Sequence, residues 1–280
     1  LTDKRVGLNS SKPLELDLNK HEIKSSTHKG DVIAVSNDRA IAVIKNGTVS
    51  SYVCDTRDFS IHPACVSIEK AKTARVTNCA LNSRAQRGYG IIDGLDSDET
   101  KIKVNDNTIN AKIVGIATQK ASYLIDNCGI DGTVAINGGN VDITNCTITS
   151  KFFFDDEQTH SFVTNEVVCE NIMAYLGTKN LTYDKWIYTS TDAVIVLDRR
   201  SAFSTYTLGK VSITGTTMNA YSEGSAVYGY GFRYLDLNND PLQDTNNYSN
   251  IKLTSNTYPK CSSTGTASGQ VGGYSRYDRP

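Results

Sequence analysis

A six-position pattern keeps returning along the chain: apolar, polar, Asn or another turn former, a small residue, polar, apolar. It is clearest in VTNCAL (76–81), IDNCGI (125–130), ITNCTI (143–148) and ITGTTM (213–218). Looser copies are IKNGTV (44–49), VNDNTI (104–109), VCENIM (168–173) and LTSNTY (253–258). The residues on either side alternate apolar and polar, the period of a strand with one buried face. No stripe of helical period separates the units, which excludes the helix-bearing repeats. With Asn19 of LDLNKHEI as an early relative, the turn positions fall at 19, 46, 78, 106, 127, 145, 170, 215 and 255. If the two widest gaps, 170–215 and 215–255, each hide one unmarked unit, the mean period is about 24 residues, in the range of solenoids and arrays.

The pattern predicts an all-β parallel β-helix of about ten coils, each made of short strands stacked at roughly 4.8 Å. In VDITNCTI, Val141 and Ile143 turn inward, Asn145 bends the chain, and Cys146 and Ile148 turn inward again. Asn suits the bend because it tolerates left-handed backbone and hydrogen-bonds locally. Stacking puts Asn78, Asn127 and Asn145 in equivalent places, an expected amide ladder, and gives Cys79, Cys128 and Cys146 equivalent inward sites. The expected organisation is a lead-in over 1–11, the β-helix over 12–260, and a Gly/Ser-rich tail or linker over 261–280.

Composition narrows the picture. With 29 basic and 30 acidic residues in 280, the net charge of −1 argues against a nucleic-acid partner or a polybasic membrane face. No apolar run is long enough for membrane insertion by a helix. The polar opening LTDKRVGLNSS has no apolar leader or initiator Met, and reads as a fragment or processed product. Seven scattered cysteines, without CxxC pairs or Cys/His clusters, read as free, mostly buried thiols that fill the core. No metal site and no cofactor is expected. The sequons at Asn46 and Asn145 are explained by the repeat, and neither they nor Asn180 is read as a glycosylation signal.

The segment PLELDLNKHEI…GDVIAVSNDRAIAVIKNGTV resembles the opening of right-handed parallel β-helix proteins of the pectate-lyase-like superfamily. There a strand of the form LDLNGHTI precedes an I-x-N-G-T-I coil; Lys20 stands here where that pattern often has Gly. The likeness covers about residues 12 to 260, and the irregular Asn/Thr-rich coils look most like bacteriophage tailspikes and polysaccharide depolymerases. The resemblance implies a homotrimer on a virion tail or outside the cell, with a bacterial cell-surface polysaccharide, capsule or O-antigen, as partner. Pectate-lyase-like activity ranks behind this, because no ladder of Asp at matching repeat positions offers a calcium site.

In such a scaffold, chemistry sits where the spacing stretches. Residues 149–165 carry Asp155, Asp156 and Glu157 beside three Phe, with His160 close by. Apolar surroundings and a neighbouring carboxylate both raise a carboxyl pKa, and glycoside hydrolysis needs one protonated and one ionised acid. A solvated acidic loop is the plainer alternative. Residues 176–212 carry Asp184, Trp186, Tyr188, Asp192, Asp198, Arg199 and Arg200, with Asp198 and the Arg pair at the exit of the strand VIVLD. Arg forks bind carboxylates and aromatic faces pack on sugar rings; an Asp198–Arg ion pair with ordinary Trp packing is the alternative. In YGYGFRYLDLNND, Tyr228, Tyr230, Phe232 and Tyr234 alternate onto one strand face, a sugar platform or a subunit interface. Pro241 breaks the calcium-loop spacing begun by Asp236, Asn238 and Asp240. The acidic DGLDSDE (93–99) reads as a surface turn.

A glycosidase would use two of Asp155, Asp156, Glu157, Glu166 and Asp198. A lyase would use His160 or a Tyr as base, with Arg199 or Arg200 neutralising a uronate. A non-catalytic receptor-binding or structural fibre module is the rival.

Overall fold

The computed structural model describes residues 4–26, 30–52, 63–85, 88–94, 96–152, 193–198, 208–222, 230–235 and 251–258. Among these there are nineteen strands, β1–β19, no helix, and only parallel pairings. The arrangement is compatible with a parallel β-helix. The pairings fall into three ladders that the chain visits in turn.

The first ladder stacks β2 (Leu14–Asp17), the first half of β5 (Ile41–Ser50), the first half of β7 (Thr73–Ser83), β9 (Lys101–Asn105), β11 (Ser122–Asp126), β13 (Gly139–Thr144), β16 (Leu208–Thr214) and β19 (Ile251–Thr254). The second stacks β3 (Glu22–Lys24), the second halves of β5 and β7, the start of β10 (Thr108–Thr118), the start of β12 (Gly129–Ile136), β14 (Thr147–Phe152) and β17 (Thr217–Ser222). The third stacks β1 (Val6–Gly7), β4 (Ile33–Ser36), β6 (Ala64–Lys70), β8 (Tyr89–Asp93), the ends of β10 and β12, β15 (Ala193–Asp198) and β18 (Tyr230–Leu235).

The border between the first two ladders is the repeated unit itself. Asn46, Asn78, Asp106, Asn127 and Asn145 all have φ between 51° and 60°, and Ser255 and Gly215 occupy the same place at 53° and 61°. A side chain that can bond locally lowers the cost of left-handed backbone, and Gly avoids that cost altogether. On either side the alternation holds: Val141, Ile143, Cys146 and Ile148 are all buried, as Val104, Ile109, Ile125 and Ile130 are. Each such side chain contributes about 1.5–3 kcal/mol by leaving water.

One spacing expectation fails. β13 pairs directly with β16 and β14 with β17, so the turns at Asn145 and Gly215 are on adjacent rungs. No rung lies between them for the unit at 168–173. β16 likewise pairs directly with β19, leaving no hidden unit between the turns at 215 and 255. Even spacing would need a strand in each long gap, but the strands on either side of each gap are hydrogen-bonded neighbours.

A left-handed turn leaves the next N–H, and the C=O two residues before the turn, facing the dry interior. A buried unpaired amide costs about 1–3 kcal/mol. From Asn78 onward, the residue just after the turn supplies a partner to the preceding rung. Cys79 takes the Gly47 N–H on its sulfur. Asn107 Oδ1 accepts from Cys79 N at 2.8 Å. Cys128 takes the Asn107 N–H, and Cys146 takes that of Cys128. Thr216 Oγ1 accepts from Cys146 N at 3.4 Å, and Asn256 Oδ1 from Thr216 N at 2.9 Å. The two amides also meet the carbonyls: Asn107 Nδ2 donates to Val76 O and Asn256 Nδ2 to Ile213 O, both at 2.8 Å. The thiols lie nearer the carbonyls of their own strands, Cys79 Sγ at 3.3 Å from Thr77 O, Cys128 Sγ at 3.3 Å from Asp126 O and Cys146 Sγ at 3.2 Å from Thr144 O. Cys79, Cys128 and Cys146 thus fill the core as expected, and they also accept backbone N–H groups. Cys65, Cys79, Cys128 and Cys146 are buried free thiols.

The border between the third and first ladders has one buried anchor, Asp93, only 1% exposed. Its Oδ2 accepts from Ser97 Oγ (2.6 Å), Lys120 N (2.8 Å) and Ala121 N (2.9 Å). Its Oδ1 accepts from Gln119 N (2.7 Å) and the Tyr123 hydroxyl (3.2 Å). The reading of 93–99 as a surface turn is therefore corrected at Asp93 and at the equally buried Ser97. Burial, reinforced by the Asp93 charge, pushes the Tyr123 hydroxyl pKa well above its ordinary value.

Candidate functional site

Two regions come forward, and the first is set by connectivity. Every passage from the first to the second ladder is a tight turn. The longer segments interrupt the other two borders: 51–63 precedes β6, 153–192 precedes β15, 199–207 follows it, 223–229 precedes β18, and 236–250 follows that. The two longest, 153–192 and 236–250, adjoin two neighbouring rungs of the third ladder.

The sequence candidates gather on those segments. Asp155, Asp156, Glu157, His160, Glu166, Asp184, Trp186, Tyr188, Asp192, Arg199, Arg200 and Tyr228 lie outside the described residues. Three others are placed by their backbone. Asp198 ends β15 and pairs with Leu235, Leu197 pairs with Tyr234, and Ala193 pairs with Tyr230. Asp198 and Tyr234 thus share one end of the third ladder. Tyr230 sits opposite the start of β15, roughly 17 Å from Asp198 at the usual rise of a strand. Phe232, from the same alternating set, is packed in the core at 2% exposure and is no part of an outer aromatic platform.

The second region was not anticipated. An open groove of about 570 Å³ runs along the outside of the left-handed turns, lined by Asp17, Lys20, Asn46, Thr48, Asn78 and Asp106 among others. It crosses four successive rungs. Asn46 Nδ2 donates to both Asp17 oxygens at 3.2 Å, and Asn78 Nδ2 donates to Asn46 Oδ1 at 2.9 Å. Beyond the groove, Asn127 Nδ2 donates to Asp106 Oδ1 at 2.7 Å, and Asn145 Nδ2 to Asp126 Oδ1 at 3.3 Å. The expected ladder of Asn78, Asn127 and Asn145 is therefore corrected. The three do share the turn position, but Asp106 stands between the first two and Asn145 turns to Asp126. The amide-to-amide bond is Asn78 to Asn46. The signal that could have found it was the Asn or Asp at each turn position, read as one column.

Both groove carboxylates are held below their ordinary pKa. For Asp17 the main cause is the backbone N–H of Asn19, followed among the favourable contacts by Asn46 and Lys45. For Asp106 it is the Asn127 amide, then that of Asn105. Lys45 is engaged with Glu15 at 2.7 Å and Asp17 at 3.4 Å. At neutral pH the groove therefore presents ionised acceptors, suited to receiving hydrogen bonds and unsuited to donating a proton to a leaving group. Asp31 is the opposite case: partial burial raises its carboxyl, which accepts from Ala64 N at 2.9 Å. It precedes β4 on the third ladder and does not line the groove. Among the described residues no three His, Cys, Asp or Glu side chains converge as a metal site would need.

Comparison with protein-family models, with curated proteins and with solved structures finds no match to this chain.

Proposed function

We propose that this chain is a right-handed parallel β-helix module of the tailspike kind, homotrimeric, carried on a virion tail or outside the cell. It binds and cleaves a bacterial surface polysaccharide, capsule or O-antigen. The observation that carries the reading is that the two longest segments between strands, 153–192 before β15 and 236–250 after β18, flank two neighbouring rungs of the third ladder. In sequence, Asp155, Asp156, Glu157 and His160 precede β15, and Arg199 and Arg200 directly follow Asp198. Hydrolysis would use two of the carboxylates, one as acid and one as base or nucleophile. Elimination would use His160 or a Tyr as base, with an Arg against the uronate carboxylate.

Digestion of purified capsular and O-antigen polysaccharides tests this, with product size followed by gel filtration and double bonds by ultraviolet absorbance. Shortening with absorbance identifies a lyase, and shortening without it a hydrolase. The second reading is a receptor-binding or fibre module that does not cleave. It is supported by the groove, whose two carboxylates are held ionised and so offer acceptors instead of an acid. Binding without shortening would select it, and no binding to any polysaccharide would reject both.

A further inference from the structure

The described coil makes a whole number of rungs. Its first ladder runs through eight strands, from β2 to β19, and its third through eight, from β1 to β18. Its second runs through seven strands, from β3 to β17, with an eighth step where Thr257 bridges to Thr217. The ladders are visited in the order third, first, second. The first described strand, β1, is on the third ladder, and the last step, at Thr257 and Tyr258, is on the second. The two faces of the stack are therefore in phase: β1 could follow β18, β2 could follow β19, and β3 could follow Thr257 and Tyr258. Between those faces the inward columns are dry, with Ala42, Ile44, Val211 and Ile213 all at most 2% exposed. The side chains packed on this core but only partly buried are Val6, Leu14, Leu16, Ile23, Ile251 and Tyr258, and all six belong to the first or the last rung.

We propose that a second copy of this chain stacks end-on at these faces, its first rung laid on the last rung of its neighbour with strands parallel and in register. Extending each ladder's register by one step sets Leu14 against Ile251, Leu16 against Leu253 and Val6 against Phe232. Ile23 falls on Tyr258 by the same rule. Part-exposed apolar side chains thus meet apolar partners in every ladder, and burying them is favourable. On the outside of the first ladder, Glu15 falls directly opposite Lys252, and both are exposed. Opposite charges at facing strand positions attract. Glu15 already meets Lys45 Nζ at 2.7 Å, and a carboxylate can accept from both ammonium groups. Among the described residues, no strand lies beyond β1, β2 and β3 on one face or beyond β18 and β19 on the other, and open edges of this kind template further pairing. A second copy is the occupant because phase, apolar order and charge all match between the chain's own two faces. The contact joins unlike surfaces, so it builds an open row and not a closed ring. It is distinct from a side-by-side trimer and does not rest on the polysaccharide reading.

Lys252→Glu and Glu15→Lys decide it. Alone, each variant sets like charges across the contact, two carboxylates in the first and two ammonium groups in the second. Mixed in equal amounts, they restore an unlike pair wherever one variant stacks on the other. Sedimentation velocity of the full chain over a concentration series reads the mass, and electron microscopy reads the length of the particles. The parent should grow with concentration without stopping at a fixed size. Each variant alone should associate roughly three- to tenfold more weakly, and the mixture should return to within about twofold of the parent. Melting temperatures of both variants should stay close to the parent's, because the two side chains are exposed. A parent that stays monomeric, or that stops at a closed trimer, overturns the contact. If the β2 amides of that parent also resist hydrogen exchange, the cover on this face is the chain itself. Growth that neither variant weakens, or that mixing does not restore, overturns it as well. Each of these results leaves the polysaccharide reading standing.

Discussion

Asn107 and Asn256 perform the same task on two well-separated rungs. Each amide accepts from the N–H that follows the previous left-handed turn and donates to the carbonyl two residues before that turn. At the same place on other rungs stand Cys79, Cys128, Cys146 and Thr216, each small enough for the interior and each with a polar atom. What these positions share is a compact acceptor for that N–H, and the two amides alone also make a short bond to the carbonyl.

Asn107→Ala should cost about 3 kcal/mol, since it strands Cys79 N–H and Val76 C=O in the core. Asn107→Cys should cost clearly less, because Cys already does this work on neighbouring rungs. Urea unfolding of both variants measures the difference, and equal losses would reduce the device to volume filling.

Removal of the Asp93 carboxylate should be among the most damaging changes. It leaves three backbone N–H groups and the Tyr123 hydroxyl without their acceptor, while Ser97 Oγ keeps Gly94 O at 2.6 Å. Asp93→Ala is expected to lose roughly 3–5 kcal/mol, and Asp93→Asn less, since one acceptor oxygen survives. A loss under about 1 kcal/mol in chemical denaturation would contradict the anchor.

Asp31→Asn should stabilise the protein at neutral pH. Partial burial raises the folded carboxyl above its ordinary 3.8, so the fold holds that proton more tightly than the unfolded chain does. Stability from this group is therefore greatest below the ordinary value and falls as pH rises through the folded one. The amide keeps an acceptor for Ala64 N without the charge. The melting temperature should rise by roughly 1–3 °C at pH 7, with the gain shrinking in acid.

Native thiols should resist alkylation. Burial pushes Cys65 up to about 12 and raises Cys79, while Cys146 is raised first by its bond to Cys128 and then by burial, and that same bond lowers Cys128. At pH 8 a thiol titrating near 12 is thiolate in only about one molecule in ten thousand. Iodoacetamide followed by peptide mass spectrometry should leave these positions unlabelled in the native protein and labelled in urea. Rapid native labelling at Cys128 or Cys146 would show that the interior opens.

How much of this was legible depends on whether the cause is local. The left-handed turns were readable, because Asn before a small residue between alternating strands has few other uses, and eight of the nine marked positions are placed by the structure: Asn19, Asn46, Asn78, Asp106, Asn127, Asn145, Gly215 and Ser255 all have positive φ. The inward cysteines followed from the same alternation. Asp93 was misread because a carboxylate in an acidic run looks solvated, and the N–H groups that hold it come from a rung further on, at 119–121. The rung count misled because hydrogen-bonded neighbours are set in space: Asn145 and Gly215 are adjacent although 70 residues separate them. Of the candidate site, the sequence located the long segments and their acids, while the groove depended on turns at 17–20, 46, 78 and 106 forming one column. No single unit carries that information.

The left-handed turns also separate two quantities that usually grow together. Successive turns are 21 residues apart between Asp106 and Asn127, and 40 apart between the positions that follow Gly215 and Ser255, yet each advances the stack by the same single step. Height is counted in turns and not in residues. A lineage of such chains could gain or lose residues between two turns while the distance from the first rung to the last stayed the same.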